Sequence, residues 1–270
     1  MRADSHSHIN SSGFPLQIGL AHAINASCHK HGWHVLHTEH GWLNPDTGES
    51  GFIDLVVENQ AGTVVLNVEC KRPQDATWQF LVPAPDDGPE GRAKFWASYI
   101  SRAGARTFDW LDLQLRPVSY ESAFCVVAGQ DSKSRPMLER VAAQVVESTA
   151  ALAREEALLL EQQDSPTLRT YFNVIATTAK LEVCKFDPAD VDLDTGTIDA
   201  ASSEEVQFIR FRKQLSPRPI LPERLSGWGF GTLARAKENT VLVVQASSFL
   251  DFIERIHLDP NIGRTIARNS

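Results

Sequence analysis

Two acidic residues and a lysine are the side chains in this sequence whose types and spacing best suit chemistry. Asp54 lies in one apolar segment, and Glu69 and Lys71 lie at the end of the next. Carboxylate oxygens are the ligands that Mg²⁺ prefers, and the backbone carbonyl of Cys70 adds another oxygen. A lysine beside a bound cation can help to orient or deprotonate a water molecule that attacks a phosphate ester. These residues therefore predict a metal-dependent hydrolytic site.

The two segments are predicted to be neighbouring β-strands. FIDLVVE (52–58) and TVVLNVECK (63–71) are rich in β-branched residues, and the short connection between them suits a hairpin. With a turn that is symmetric about its centre, Asp54 faces Asn67. Glu69 is then the diagonal neighbour of Asp54 on the same face, roughly 7–8 Å away.

The alternative interpretation of these charges is a solvated ion-pair patch, which is common on the exposed face of an antiparallel sheet. Asp54, however, is flanked by the apolar residues Phe52 and Ile53 on one side and Leu55, Val56 and Val57 on the other, and Glu69 follows Val68. Apolar residues on both faces indicate burial, where unpaired charges are costly and usually functional. The pattern therefore favours an active site over a surface patch.

The motif resembles the signature of the PD-(D/E)XK (restriction-endonuclease-like) superfamily. Asp54 is followed by fourteen residues and then by Glu69-Cys70-Lys71, with Ile53 in the place of the proline. The resemblance implies a restriction-endonuclease-like αβββαβ core and hydrolysis of phosphodiester bonds in DNA with Mg²⁺ or Mn²⁺. It makes Asp54, Glu69 and the Cys70 carbonyl metal ligands, and Lys71 the residue that positions the water. Restriction, anti-phage defence and DNA repair are the settings it implies.

The sequence departs from the family on its first helix, where many members carry a further acid. Residues 14–31 contain neither Asp nor Glu. Gln17 and His22 are the polar candidates on this helix, and Glu39 and Glu49 are candidates from nearby strands or loops. A catalytically inactive nuclease-fold module that binds nucleic acid or a partner protein is therefore the alternative function.

The elements around the motif predict an α/β fold with a mixed central sheet flanked by helices. The predicted core, residues 14–129, contains a helix at 14–30, strands at 33–39, 52–58 and 63–71, an irregular loop at 72–91, a helix at 92–112 and a buried strand at 120–129. Residues 130–270 are predicted as a β-rich C-terminal extension on the same domain. It contains a long helix at 136–163, capped by Ser134, then three or four strands and a terminal helix.

Two groups of basic residues are candidates for contacts with nucleic-acid phosphates. The first group lies on the predicted helix after the hairpin and the second on a later strand: Arg92, Arg102 and Arg106, then Arg210, Arg212 and Lys213. A solvated helix face or strand edge is the alternative for each group.

The composition indicates a soluble globular chain of 270 residues, with 42% hydrophobic residues and a net charge of −8. Its N-terminal segment lacks the apolar core of a signal peptide, no apolar run reaches about 18 residues, and the four cysteines are scattered. We therefore expect a cytoplasmic protein with no membrane partner. The acidic charge argues mildly against a surface coated in nucleic acid but permits a local basic groove. Analogy with the family adds DNA, a second copy of the chain and defence-complex proteins as partners.

Overall fold

The main body of the protein is a mixed β-sheet with helices packed on both faces, so the predicted α/β class is confirmed. The computed structural model describes residues 8–10, 12–73, 76–83, 89–101, 106–127, 136–162, 167–215 and 229–258.

The N-terminal part contains the helix and the three strands that the sequence predicts. Their bounds are α1 Phe14–Ala26, α2 Cys28–His31, β1 Trp33–Leu43, β2 Ser50–Asn59 and β3 Val64–Lys71. Gly32 ends α2 in the left-handed region, at a φ of 72°, which a residue without a Cβ adopts readily.

The β2–β3 hairpin has a different register from the predicted one. Leu55 pairs with Val68 and Val56 with Asn67, so the next position along, Asp54, lies across from Glu69. The turn is centred one residue later than predicted, because the Asn59 side chain accepts the backbone N–H groups of Thr63 and Val64. Moving the pairing by two residues keeps every side chain on its predicted face.

The next part of the chain corrects the prediction most strongly. The predicted loop and helix at 72–112 are instead the strands β4 Thr77–Val82, β5 Glu90–Ile100 and β6 Arg106–Ser119. The predicted strand at 120–129 is present as two short strands, β7 Glu121–Ser122 and β8 Phe124–Val127, and residues 128–129 lie outside the described residues. β5 and β6 form a long antiparallel pair, in which Phe95 faces Leu111. β8 is not buried, since Phe124 is 55% exposed.

The second half of the chain begins with the predicted long helix and continues with strands and short helices. The elements are α3 Met137–Leu160, β9 Thr167–Thr177, β10 Lys180–Lys185, β11 Val191–Asp192, β12 Thr197–Ile198, β13 Ser202–Glu205, β14 Phe208–Gln214, α4 Phe230–Ala236, β15 Glu238–Gln245, α5 Phe249–Arg255 and β16 His257–Leu258. The predicted cap Ser134 lies outside the described residues.

The main sheet mixes strands from both halves of the chain. Its principal order is β1-β2-β3-β9-β15-β14-β7, and β9 is parallel to β3. The first half of β9 also pairs with β5. β5 in turn pairs with β6, and β6 pairs with β16. A second, four-stranded sheet has the order β13-β10-β4-β8, and β11 and β12 form a two-stranded sheet. A boundary at residue 129 would therefore run through the middle of the main sheet.

The two faces of the main sheet pack against different helices. On one face, α1 and α5 contact the core residues of β2 and β3, including Leu55 and Val68. On the other face, α3 covers Val56 and Val65. The buried Asn67 amide donates to Ser148 and Thr149 of α3, which fixes this helix over β3.

Candidate active site

Asp54 lies where β2 and β3 stop pairing with each other. The hydrogen-bonded register of these strands ends at Leu55 and Val68. Beyond that point the backbone N–H of Cys70 donates to Oδ2 of Asp54, at 2.7 Å. The Asp54 carboxylate therefore accepts a hydrogen bond from the main chain of β3 that a backbone carbonyl of β2 would accept if the strand pairing continued.

The opposite side of Asp54 is also irregular. The register of β1 with β2 is the same at Thr38–Leu55 and at His40–Ile53, but the pair between them, Glu39 and Asp54, is not formed, and Glu39 has a φ of 52°. The Gln17 amide of α1 donates to the Asp54 carbonyl at 3.0 Å and to Oε1 of Glu39 at 2.6 Å. A helix side chain thus supplies a bond to Asp54 that a strand neighbour supplies in a regular sheet.

Glu69 and Lys71 lie on one face of β3, because side chains two residues apart in a strand point to the same side. Their charged groups form an ion pair, with Nζ of Lys71 2.5 Å from Oε1 of Glu69. The Glu69 side chain is only 11% exposed, whereas the Lys71 side chain is 33% exposed. The carboxylate is therefore held inside the site while the ammonium group borders solvent.

The electrostatics of the site centre on Asp54. Burial and the nearby negative charge of Glu69 raise the pKa of Asp54 to about 6, and Glu39 contributes in the same direction. The Cys70 N–H bond and the Lys71 charge lower this pKa without cancelling the increase. The two carboxylates therefore repel each other in a partly desolvated place, which a proton or a cation would relieve.

Cys70 contributes its main chain to the site rather than its thiol. The thiol belongs to the apolar core, and burial together with the nearby charge of Asp54 raises the pKa of this group. A thiol that stays protonated is a poor metal ligand. The N–H and C=O of one strand residue point to the same side, so the carbonyl of Cys70 faces the gap that contains Asp54.

The donor set fits a hard divalent cation. Within the described ranges, no group of three or more His, Cys, Asp and Glu side chains is arranged to bind a metal. The site instead offers Asp54, Glu69 and the carbonyl of Cys70. Mg²⁺ usually takes one or two carboxylates and retains several waters, so this small set of oxygen donors is sufficient for it.

Of the four accessory candidates, Gln17 and Glu39 are connected to Asp54 by hydrogen bonds, whereas His22 and Glu49 lie elsewhere. Gln17 bonds directly to Asp54, and Glu39 bonds to Gln17. His22 is exposed, and five residues along a helix place it about 7.5 Å further along the helix axis than Gln17 and on a different face. Glu49 is exposed in the turn before β2, about 16 Å along the strand from Asp54.

The structure does not gather the basic residues of the first predicted group at this site. The helix that would align them is absent, because Arg92 lies on β5 and Arg106 on β6. Arg92 is exposed, and Arg106 forms an ion pair with Glu161 at 2.8 Å. Arg102 lies outside the described residues.

The second basic group, on β14, is engaged within the protein. Arg210 is 1% exposed, and its guanidinium donates to the carbonyls of Arg92 and Ser119. Arg212 forms ion pairs with Asp112 and Glu238, at 2.9 Å each. Lys213 forms an ion pair with Glu139 of α3. For Arg210, this burial is incompatible with the predicted contact with phosphates.

Comparisons with known proteins identify no relative: no protein-family model, curated protein or solved structure matches the chain. No helix in the described part of the chain combines the length and the apolar character that a membrane crossing requires. The features of the protein that bear on its function are therefore the geometry around Asp54 and the order of the elements that carry it.

Proposed function

We propose that the protein is a metal-dependent nuclease that hydrolyses phosphodiester bonds in DNA. The observation that carries this proposal is the convergence of Asp54, Glu69 and Lys71 at the point where β2 and β3 separate. A partly buried carboxyl whose pKa is raised by a neighbouring carboxylate, beside a partly exposed lysine, is typical of sites that bind a cation and act on an anionic ester.

The order of the elements supports the same proposal. The sequence α1, β1, β2, β3, α3 and β9 has the order αβββαβ, with β9 parallel to β3 and next to it. β4 to β8 then form an insertion between β3 and α3. This arrangement is the one expected for a restriction-endonuclease-like core, with a different helix and strand from those the sequence predicted.

Each residue of the site has a separate role in the proposed hydrolysis. Asp54, Glu69 and the Cys70 carbonyl would hold Mg²⁺ or Mn²⁺. The chemistry that such a cation supplies is stabilisation of the charge that develops on the phosphate, together with a lower pKa for the attacking water. The ammonium group of Lys71 has three hydrogens, of which one serves Glu69. The remaining hydrogens can orient a water or a phosphate oxygen, while Cys70 N–H holds the Asp54 carboxylate in place.

The test is DNA cleavage by the purified full chain with Mg²⁺ or Mn²⁺, on plasmid and linear substrates. Asp54→Ala and Lys71→Ala should each reduce the rate by about 100-fold or more, because each removes a group that acts at the reacting phosphate. Lys180→Ala is the matched control, since Lys180 pairs with Glu182 two residues away on β10, as Lys71 pairs with Glu69. Cleavage that both site variants retain in full would refute the proposal.

An inactive binding module is the second candidate function. The observation in its favour is that α1 presents the amide of Gln17 to Asp54, where many nucleases of this type carry an acid. DNA binding without cleavage, together with no measurable affinity of the Asp54–Glu69 site for Mn²⁺, would support the module over the enzyme.

A further inference from the structure

Asp54 is held from two sides by groups that replace ordinary strand pairing. On the β3 side, Cys70 N–H binds its carboxylate. From helix α1, the amide of Gln17 binds its carbonyl, and Glu39, the residue directly across from Asp54 on β1, does not pair with it. The position of the Asp54 carboxylate therefore depends on contacts from a helix as well as from the sheet.

The orientation of the Gln17 amide follows from its partners. Both contacts are to acceptors, the carbonyl of Asp54 and the carboxylate of Glu39, so the NH₂ group must face them. Gln17 is 7% exposed, which means that an amide hydrogen without a partner would be costly. Glu39 therefore fixes the direction in which Gln17 donates to Asp54.

The backbone of Glu39 is strained in a way that makes this contact available. Its φ of 52° lies in the left-handed region, which residues other than glycine, asparagine and aspartate seldom adopt. Strained residues in the middle of regular elements cluster at functional sites, where surrounding contacts maintain them. Here the irregular backbone interrupts the ladder opposite Asp54 and brings the carboxylate of Glu39 to Gln17.

We propose that Gln17 and Glu39 form a positioning pair that holds the main chain of Asp54 and thereby directs its carboxylate into the cation site. Neither residue touches the substrate, and both act through Asp54. This inference deepens the proposed function, on which it rests, and it assigns a role to the amide that stands in the place of a helix acid.

Kinetics and metal binding test the pair. Gln17→Met removes both donors in a side chain of similar size and should reduce kcat and Mn²⁺ affinity about 10–100-fold, with an unchanged KM for DNA. Glu39→Leu should have the same effect, whereas Glu39→Gln retains an acceptor oxygen and should restore most of the activity. Gln79→Met and Glu205→Gln, on β4 and β13 of the four-stranded sheet, are the matched controls and should behave like the unchanged protein.

A second measurement does not depend on catalysis. The Cys70 amide is protected from hydrogen exchange by its bond to Asp54, so Gln17→Met should accelerate its exchange about tenfold without an added cation. Unchanged Cys70 exchange and unchanged Mn²⁺ affinity in Gln17→Met would overturn the positioning pair. Faster exchange in a protein that neither binds Mn²⁺ nor cleaves DNA would instead refute the nuclease proposal and its cation site, and leave only the hold of Gln17 on the main chain of Asp54.

Discussion

At the scale of single residues, the site around Asp54 works against the stability of the fold when no cation is bound. Its carboxyl has a pKa of about 6, compared with an ordinary value of 3.8, because it is partly buried near Glu69. The folded state therefore binds this proton more tightly than the unfolded state does. The protonated Asp54 therefore contributes stability that is fully present below pH 3.8, and this contribution is lost as the pH rises through about 6.

Replacing Asp54 with Asn should stabilise the protein near neutral pH in the presence of a chelator. Asn keeps an acceptor for Cys70 N–H but cannot ionise, so the cost of the buried charge disappears. We expect a gain of about 1–2 kcal/mol, which is less than the full pKa shift corresponds to because Asp54 is only partly buried. Chemical denaturation of both proteins across a pH series measures this gain.

The pH dependence distinguishes this cause from a general packing effect. The difference between the two proteins should shrink as the pH falls and disappear below the ordinary carboxyl pKa of 3.8. Added Mn²⁺ should stabilise the original protein more than the variant, because the variant lacks one of the proposed ligands. A gain that is independent of pH would contradict the electrostatic origin.

The sequence allowed the three charged residues to be predicted but not the contacts that hold them. Asp54, Glu69 and Lys71 stood out because a strand pattern and a short motif place charges among apolar residues. Gln17 and Glu39 could be named as polar candidates, yet nothing in their neighbours indicates a left-handed residue in the middle of a strand. That conformation depends on contacts between a helix and a sheet, which a local pattern does not encode.

At the scale of elements, the turn of the β2–β3 hairpin determines which residues face each other at the site. Gly62 lies in this turn with a φ of 67°, and its carbonyl accepts a bond from Arg169 at 2.7 Å. The register that brings Asp54 across from Glu69 follows from this turn. A change here therefore acts on the site from a distance of several residues.

Gly62→Ala should lower the free energy of unfolding by about 1–2 kcal/mol, because a Cβ disfavours the left-handed region. Its Cβ would be 3.9 Å from the nearest atom, so a steric clash does not contribute. Gly19→Ala is the control: it lies within helix α1 with open space around it and should be neutral or slightly stabilising. Equal effects of the two variants in urea denaturation would contradict the argument.

The incorrect helix at 92–112 shows what the sequence did not reveal about the elements. β5 is covered on both faces, with Phe95 in one core cluster and Trp96 in another, so its apolar residues do not alternate. Without a period of two, the segment does not show the pattern of a half-buried strand. The strand forms because β6 and β9 pair with it, and one of these partners lies about 70 residues away along the chain.

At the scale of the whole molecule, the main sheet is completed by a strand from the second half of the chain. β9 lies between β3 and β15 and also pairs with β5, and α3 covers the face that carries Asn67. The predicted core at 14–129 contains neither element. The sequence predicted a long helix where α3 lies and strands in the second half of the chain. It did not predict that one of those strands, β9, is the neighbour of β3.

A fragment that comprises residues 1–129 should therefore fail to fold. It would expose the edge of β3 and the apolar faces that α3 and β9 cover in the whole protein. We expect no cooperative unfolding transition in circular dichroism and poor dispersion in NMR spectra. Adding the complementary fragment 130–270 should restore the transition, and a stable fold of 1–129 alone would contradict this view of the sheet.

The late position of β9 also has a consequence for biosynthesis. The ribosome completes β3 at Lys71 but does not reach the end of its neighbour until Thr177. At a usual rate of translation, this interval lasts on the order of ten seconds. Throughout that time one edge of the nascent hairpin has no native partner, so this stretch is where a chaperone would protect the growing polypeptide best.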